Sequence, residues 1–370
     1  MRPVEAELEH ISGLGQLRCV REIPGGIMDF GSNDYLGLSR HPALLNAASQ
    51  AVRDHGTGST GSRLITGTTP LHQRLEERLA ELKGTEAALT FATGYATAVG
   101  TLTALAKPGD TLILDKLCHA SLIDGARQSG ATVRVFPHNN LTKLKRLLQS
   151  HAPTNETRTI VVTESVFSMD GDIAPLEEIV RLKNEHGAWL LVDEAHALGL
   201  LGPQGLGLAE DLKLQNEIDL QMGTFSKAAG SAGGYLAAER SVIDLILNTA
   251  RPFIYSTAPP PAQIAASLAA LDLITSDEGT HLRARLRRNV QSFNGINART
   301  SIQPVVIGDN CQTLARRDRL QDLGYFVPAI RFPTVPRGQA RLRISLRANH
   351  ETSDVLALRD ALQNLAEEVN

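Results

Sequence analysis

The sequence predicts an α/β protein, with a large domain holding a mostly parallel sheet between helices and a smaller C-terminal α+β domain. Two observations predict it. Between about residues 40 and 240, short apolar runs recur, and most are followed by small or polar residues and then a helical pattern. Continuous apolar strands separated by helices are the mark of a parallel sheet covered on both faces. After about residue 250 the texture changes to one apolar helix, a few alternating strands and two flanking helices.

Residues 1–36 read as an N-terminal segment. Leu8, Ile11 and Leu14 line one face of a short helix, Pro24-Gly25-Gly26 reads as a turn, and Ile27–Phe30 as a short strand. The large domain is expected over residues 37–250. Leu44, Leu45, Ala48, Ala51 and Val52 give helical spacing from Pro42 to His55. A Gly/Ser/Thr loop spans Gly56 to Gly67, and an amphipathic helix runs from Leu71 to Lys83 with Gly84 as its C-cap. The strand candidates are Ala87–Phe91, Thr111–Leu114, Thr132–Phe136, Thr159–Thr163, Trp189–Val192 and Asp219–Met222. The small domain is expected over residues 251–370. It would hold an apolar helix from Ala262 to Ile274, strands at Pro304–Ile307, Phe326–Val327 and Arg341–Leu346, and helices near Cys311–Leu323 and Ser353–Val369.

Bulk properties exclude several roles. The net charge of −3 provides no basic excess for nucleic-acid phosphates. No apolar run is long enough to span a bilayer, and no basic run flanks an apolar stretch, so no membrane role is expected. Cys19, Cys118 and Cys311 are far apart and form no CxxC, so neither a metal site nor a disulfide framework is expected. Sparse cysteine and the absence of a signal-peptide pattern fit the cytoplasm.

In doubly wound sheets ligands sit beyond the carboxyl ends of the strands. Four such ends carry suggestive residues. One run ends in Asp193-Glu194-Ala195-His196, and another in Gly223-Thr224-Phe225-Ser226-Lys227. A third leads to Asp115 and His119, and a fourth to Glu164 and on through Ser168 to Gly171. Singly, an Asp here is an ordinary helix cap, a Lys a solvated charge and a His a packing residue. Together they match the needs of pyridoxal 5′-phosphate. Its aldehyde needs a lysine, its pyridine nitrogen a carboxylate, its 3′-oxygen a donor, and its flat ring a stacking partner.

Two motifs are decoys. Gly56-Thr57-Gly58-Ser59-Thr60-Gly61 matches the dinucleotide fingerprint GxGxxG, but a helical pattern precedes it and more loop follows, whereas the fingerprint must link a strand to a helix. Asp193-Glu194-Ala195-His196 spells a helicase box, yet no Gly-Lys pair exists anywhere in the chain for a phosphate loop.

The chain resembles the α-oxoamine synthases, a branch of the fold-type-I pyridoxal-phosphate enzymes, from about Phe30 to Asn349. The motifs that carry the likeness are Ser32–Leu38, Gly56–Gly67, Thr93-Gly94-Tyr95, His119-Ala120-Ser121, Val166–Asp172, Val192–His196, Thr224–Lys227, Tyr255-Ser256-Thr257 and Pro333–Pro336. The resemblance implies a role for each matching residue. Lys227 binds the cofactor aldehyde and then moves the substrate α-proton. Asp193 pairs with the pyridine nitrogen, His196 and Ser168 address the 3′-oxygen, and His119 stacks on the ring. Gly94 and Tyr95 open a helix toward the phosphate, and Thr224 adds a hydroxyl. Ser256 and Thr257 reach the phosphate of a neighbouring subunit, which implies a homodimer. Arg343 holds the amino-acid carboxylate, and Arg18 and Thr334 contact substrate, with Arg21 a rival to Arg18.

The implied reaction joins L-alanine to a pimeloyl thioester, of coenzyme A or acyl carrier protein, with loss of the thiol and carbon dioxide, in biotin biosynthesis. Relatives with the same cofactor residues use glycine and acetyl-CoA (2-amino-3-ketobutyrate ligase), make 5-aminolevulinate, or act as serine palmitoyltransferases. Ser32–Gly37 and Ala258-Pro259-Pro260-Pro261 favour the alanine branch. A non-catalytic subunit on the same fold is expected to lack Lys227, which is present. Arg283, Arg285, Arg287 and Arg288 are the candidates for a basic carrier-docking patch, against the plainer reading of a solvated helix face.

Overall fold

A computed structural model describes residues 3–18, 20 and 22–367. Cys19, Arg21 and the end of the helix read to Val369 lie outside them. The chain forms two compact units. The larger comprises Asp34–Ser168 and Asp172–Ala284, and the smaller the residues up to Asn33, Met169–Gly171 and those from Arg285 on.

Seven strands build the sheet of the larger unit: β1 (Ala87–Phe91), β2 (Thr111–Asp115), β3 (Thr132–Phe136), β4 (Thr159–Glu164), β5 (Trp189–Asp193), β6 (Leu220–Thr224) and β7 (Gly234–Ala238). Their order is β1-β7-β6-β5-β4-β2-β3. The pairs from β6 through β3 are parallel, and β7 runs antiparallel to both β6 and β1. Every residue of β1, β2, β4, β6 and β7 is buried, as a sheet covered on both faces requires. The edge strand β3 is partly open.

No strand is read from the sequence at β7. Gly-Tyr-Leu-Ala-Ala has no β-branched residue, and no helix separates it from β6. Hydrogen-bonding neighbours on both sides make it a strand. Leu112, Leu114, Ile160, Val162, Leu191, Leu220, Met222 and Leu236 from the sheet share one core with Ala98, Leu102, Leu122 and Ala126 from α1 (Gly94–Leu105) and α2 (Ala120–Gln128). Burying each Leu, Ile or Val contributes about 1.5–3 kcal/mol.

The apolar helix read over Ala262–Ile274 runs from Pro261 to Ile274 and packs on helices Pro42–His55 and Pro70–Lys83 of the larger unit. It is apolar all round, so it must be covered, and those two helices cover it. The change of unit falls later, inside helix Asp277–Asn294. That helix corrects the basic patch. Arg283 is buried, and it donates to the carbonyls of Ile274 (2.6 Å) and Pro203 (2.9 Å). It therefore holds a turn and presents no charge to a carrier.

In the smaller unit β8 (Ile302–Gly308), β9 (Ala329–Ile330) and β10 (Ala340–Ser345) form an antiparallel sheet in the order β9-β10-β8. Met28–Asp29 pairs in parallel with Tyr325–Phe326. The helix Val4–Gly13 buries none of its residues. Among the described residues, no helix is long and apolar enough to cross a membrane, and no cluster of three or more His, Cys, Asp or Glu side chains is placed to hold a metal ion.

Candidate active site

Glu164, Asp193 and Thr224 are the last residues of β4, β5 and β6, and Glu164 faces Asp193 in the strand register. Parallel neighbours in register turn their side chains to the same side. A cavity of about 270 Å³ opens at these ends. It is lined by Thr93, Gly94 and Tyr95 from the start of α1, His119 and Ser121 from the start of α2, Glu164, Asp193, Ala195, His196, Met222, Thr224, Ser226 and Lys227. Seven of the residues singled out in the sequence thus meet here: Gly94, Tyr95, His119, Asp193, His196, Thr224 and Lys227.

Hydrogen bonds join these residues in short chains. Lys227 Nζ lies 2.8 Å from His196 Nε2, and the fully buried Tyr35 hydroxyl lies 2.7 Å from His196 Nδ1. Asp193 accepts the Ala195 N–H at 2.9 Å. Glu194 turns to the other side of the strand and holds the N–H groups of Leu208 and Ala209, so the two acids of Asp193-Glu194 divide into one that lines the cavity and one that fixes a turn. His119 caps α2. Its backbone N–H donates to Glu164 Oε1 (2.5 Å), and its Nδ1 lies 2.8 Å from the Ser121 hydroxyl.

Thr93 caps α1 and accepts the Ala96 N–H at 3.0 Å, which leaves the helix N-terminus facing the cavity. The approach there is tight: a Cβ on Gly234 of β7 would lie 2.7 Å from Gly94 Cα, and one on Gly94 would press on Thr224 at 3.4 Å. Thr224 Oγ1 donates to the Gly233 carbonyl (2.6 Å) and lies 2.9 Å from the Ser226 hydroxyl.

Burial dominates the electrostatics. It pushes the Asp193 carboxyl above its ordinary range, against the opposing pull of Lys227. It also raises Glu164 to about 8, assisted by the Asp193 charge. Burial lowers His119, which keeps that ring neutral. Two carboxyl groups side by side near one lysine make a site that gains from an added cation.

The other residues singled out lie elsewhere. Ser168 follows the bridge between Val166 and Ile173 and is not among the cavity residues. Ser256 and Thr257 do not line it either, and Thr257 bridges to Ser62. Arg18, Thr334 and Arg343 belong to the smaller unit. There Arg18 donates to the Thr334 hydroxyl (3.2 Å), and both line a cavity of about 420 Å³ with Arg317 and Arg331. Arg343 is buried and donates to Asn33 Oδ1 (3.1 Å) and the Ser345 hydroxyl (2.9 Å). Glu164, Ser121 and Tyr35 carry no role in the sequence reading. A carboxylate at a strand end is the one signal that points to Glu164.

The family model for aminotransferase class I and II matches residues 25–362. The chain belongs to that family. It is 43% identical over 388 residues to the 8-amino-7-oxononanoate synthase of Geobacter sulfurreducens, covering 100% of this chain and 99% of that one. It is 46% identical to that of Geobacter metallireducens over 94% of each chain. A serine palmitoyltransferase from Sphingomonas wittichii superposes with a TM-score of 0.89 at 31% identity, over 99% and 97% of the two chains. The 8-amino-7-oxononanoate synthase of Francisella tularensis does so with a TM-score of 0.78 at 26% identity, over 93% and 98%. The fold is therefore that of the fold-type-I pyridoxal-phosphate transferases, and pyridoxal phosphate is the family's cofactor.

The cavity suits that cofactor on its own chemistry. An amine, a carboxyl raised by burial, a helix N-terminus and threonine and serine hydroxyls face one space. These are the partners an aldehyde, a protonated pyridine and a phosphate need.

Proposed function

We propose that the protein is a pyridoxal-phosphate acyltransferase that condenses L-alanine with a pimeloyl thioester to give 8-amino-7-oxononanoate, carbon dioxide and free thiol, a step of biotin biosynthesis. The single observation that carries the chemistry is the convergence of Lys227, His196, Asp193 and the start of α1 on one cavity. The identity of 43–46% to relatives named 8-amino-7-oxononanoate synthase supports the substrate reading over the serine palmitoyltransferase one, where identity is 29–31%.

The bound cofactor supplies an electron sink for a negative charge at the alanine α-carbon. The chain does the rest. Asp193 holds the pyridine nitrogen protonated by charge attraction. The Thr93–Tyr95 helix start and the Thr224 hydroxyl receive the phosphate. His196 and Ser168 would donate toward the 3′-oxygen, and neutral His119 would cover one ring face. Lys227 Nζ would hold the cofactor aldehyde and would take and return the alanine α-proton, a role suited to an amine beside a cationic ring. Arg343 would pair with the alanine carboxylate, and Arg18 and Thr334 would contact substrate, as the family resemblance implies. Ser256 and Thr257 complete the phosphate site of a second copy in a homodimer.

Spectral titration tests this. Alanine should perturb the visible absorption of the holoenzyme and turn over with pimeloyl-CoA. Turnover of glycine with acetyl-CoA, with none of alanine with pimeloyl-CoA, would refute the substrate assignment.

A further inference from the structure

His138 stands just after β3, outside the cavity, with one carboxylate on each side of its ring. Nδ1 lies 2.9 Å from Asp115 Oδ1 and Nε2 lies 2.7 Å from Asp172 Oδ2. An ionised carboxylate only accepts, so a ring that serves two of them must carry a proton on both nitrogens and is an imidazolium. The edge contact with Phe167 (4.4 Å between centroids, 84°) fixes the ring plane.

The two carboxylates belong to two different functional segments. Asp115 ends β2, is buried, and accepts the N–H groups of Leu117 (2.8 Å) and Asn139 (2.9 Å), so it shapes the turn that delivers His119. Asp172 lies in the hairpin closed by the Val166–Ile173 bridge and by Phe167 N–H donating to the Asp172 carbonyl (3.0 Å), the hairpin that carries Ser168. Without a cation between them, Asp115 and Asp172 would repel.

We propose that His138 is a positioning residue of the cofactor site, an imidazolium that holds the His119 turn and the Ser168 hairpin together. This rests on the reading of His119 and Ser168 as cofactor residues. Asp115 from β2 and Asp172 from the hairpin are the charged groups acting on the ring, with Phe167 and Asn139 as its uncharged neighbours. Despite partial burial, the two carboxylates raise the ring to about 10, so the clamp is closed at neutral pH. A raised value gives stability that is complete below the ordinary histidine range near 6.5 and is lost as pH rises through about 10.

The test compares the holoenzyme with its His138→Gln and Asp172→Asn variants, by the visible circular dichroism of the cofactor, and by kcat and KM for alanine against pH. His138→Gln should keep cofactor on Lys227 but change its dichroism and lower kcat about ten-fold, as a small misplacement of positioned groups does. Asp172→Asn should move the alkaline limb of kcat down by about one pH unit or more, because one carboxylate no longer holds the proton. A neutral His138 in ¹⁵N NMR spectra at pH 8 overturns the clamp. So does a His138→Gln enzyme that only melts earlier, with dichroism and pH profile unmoved, while Ser168→Ala changes the dichroism. If Ser168→Ala and His119→Asn both leave the dichroism unchanged, the cofactor reading of those two residues falls, and the clamp's role with it.

Discussion

The two ends of the central sheet make opposite use of charge. Near the amino ends of β2, β4 and β5 lies a cavity of about 660 Å³, and at the carboxyl ends one of about 270 Å³. The larger one is lined by Asp110, Arg158 and Trp189 among others. Two of its charges serve structure: Asp110 accepts the N–H groups of Lys107 (2.9 Å) and Arg158 (2.7 Å), while the Arg158 guanidinium donates to the Leu105 carbonyl (2.9 Å) and sits 5.5 Å over the Trp189 ring. At the smaller cavity, Glu164 and Asp193 stand side by side and are both pushed upward by burial. Volume does not mark the site here. Two carboxyl groups side by side, both raised by burial, do.

Lys227→Ala should break the comparison most severely. Loss of a general acid–base contributes about 10²–10⁴-fold, and loss of the cofactor's attachment adds to it. Steady-state turnover checks the first, and disappearance of a visible band that borohydride fixes to the chain checks the second. Asp193→Asn comes next. On the proposed reading Asp193 would pair with the cofactor's pyridine nitrogen; removing one partner of a buried ion pair costs about 3–5 kcal/mol, so kcat should fall by about 10²-fold or more with the protein still folded. An Asp193→Asn enzyme with unchanged kcat would mean that the carboxyl ends are no more special than the amino ends.

Glu164→Gln sharpens the comparison without the cofactor. The folded carboxyl is raised from 4.5 to about 8. Its contribution to stability is therefore complete below about 4.5 and is lost as pH rises through about 8. The variant cannot ionise, so its melting temperature minus that of the wild-type apoprotein should grow over this window, by on the order of a few °C. A difference that stays flat with pH would remove Glu164 from the account. Trp189→Phe at the amino end should have the smallest effect. It weakens the Arg158 contact by roughly 0.5–1 kcal/mol, and kcat and KM should stay within about two-fold. A ten-fold loss there would show that the larger cavity serves the reaction.

The apolar runs that became β2, β4, β5 and β6 were legible because a strand buried on both faces reads as a continuous hydrophobic stretch. Lys227, Asp193 and His196 were legible because they follow such runs. β7 was not, since its strand character comes from its neighbours' hydrogen bonds and from no preference of Gly-Tyr-Leu-Ala-Ala. The helix Pro261–Ile274 was legible as a helix but not as part of the larger unit, because an all-round apolar surface does not say which partners cover it. Glu164 carried only the signal of a carboxylate at a strand end, and Tyr35 and His138 carried no signal as site residues. Each acts through a group far away in sequence: Asp193, His196, and the pair Asp115 and Asp172.

The sequence by itself determined which chemical groups the strand ends carry: one amine at Lys227, one carboxyl each at Glu164 and Asp193, and imidazoles at His119 and His196. Only the tertiary structure decided the protonation of Glu164, Asp193 and His119. A pKa depends on burial and on charges within a few ångströms, and those distances exist only once β4, β5 and β6 lie side by side. That is why Lys227, first visible as one lysine after a strand, gains its neighbour His196 at 2.8 Å only in the folded chain.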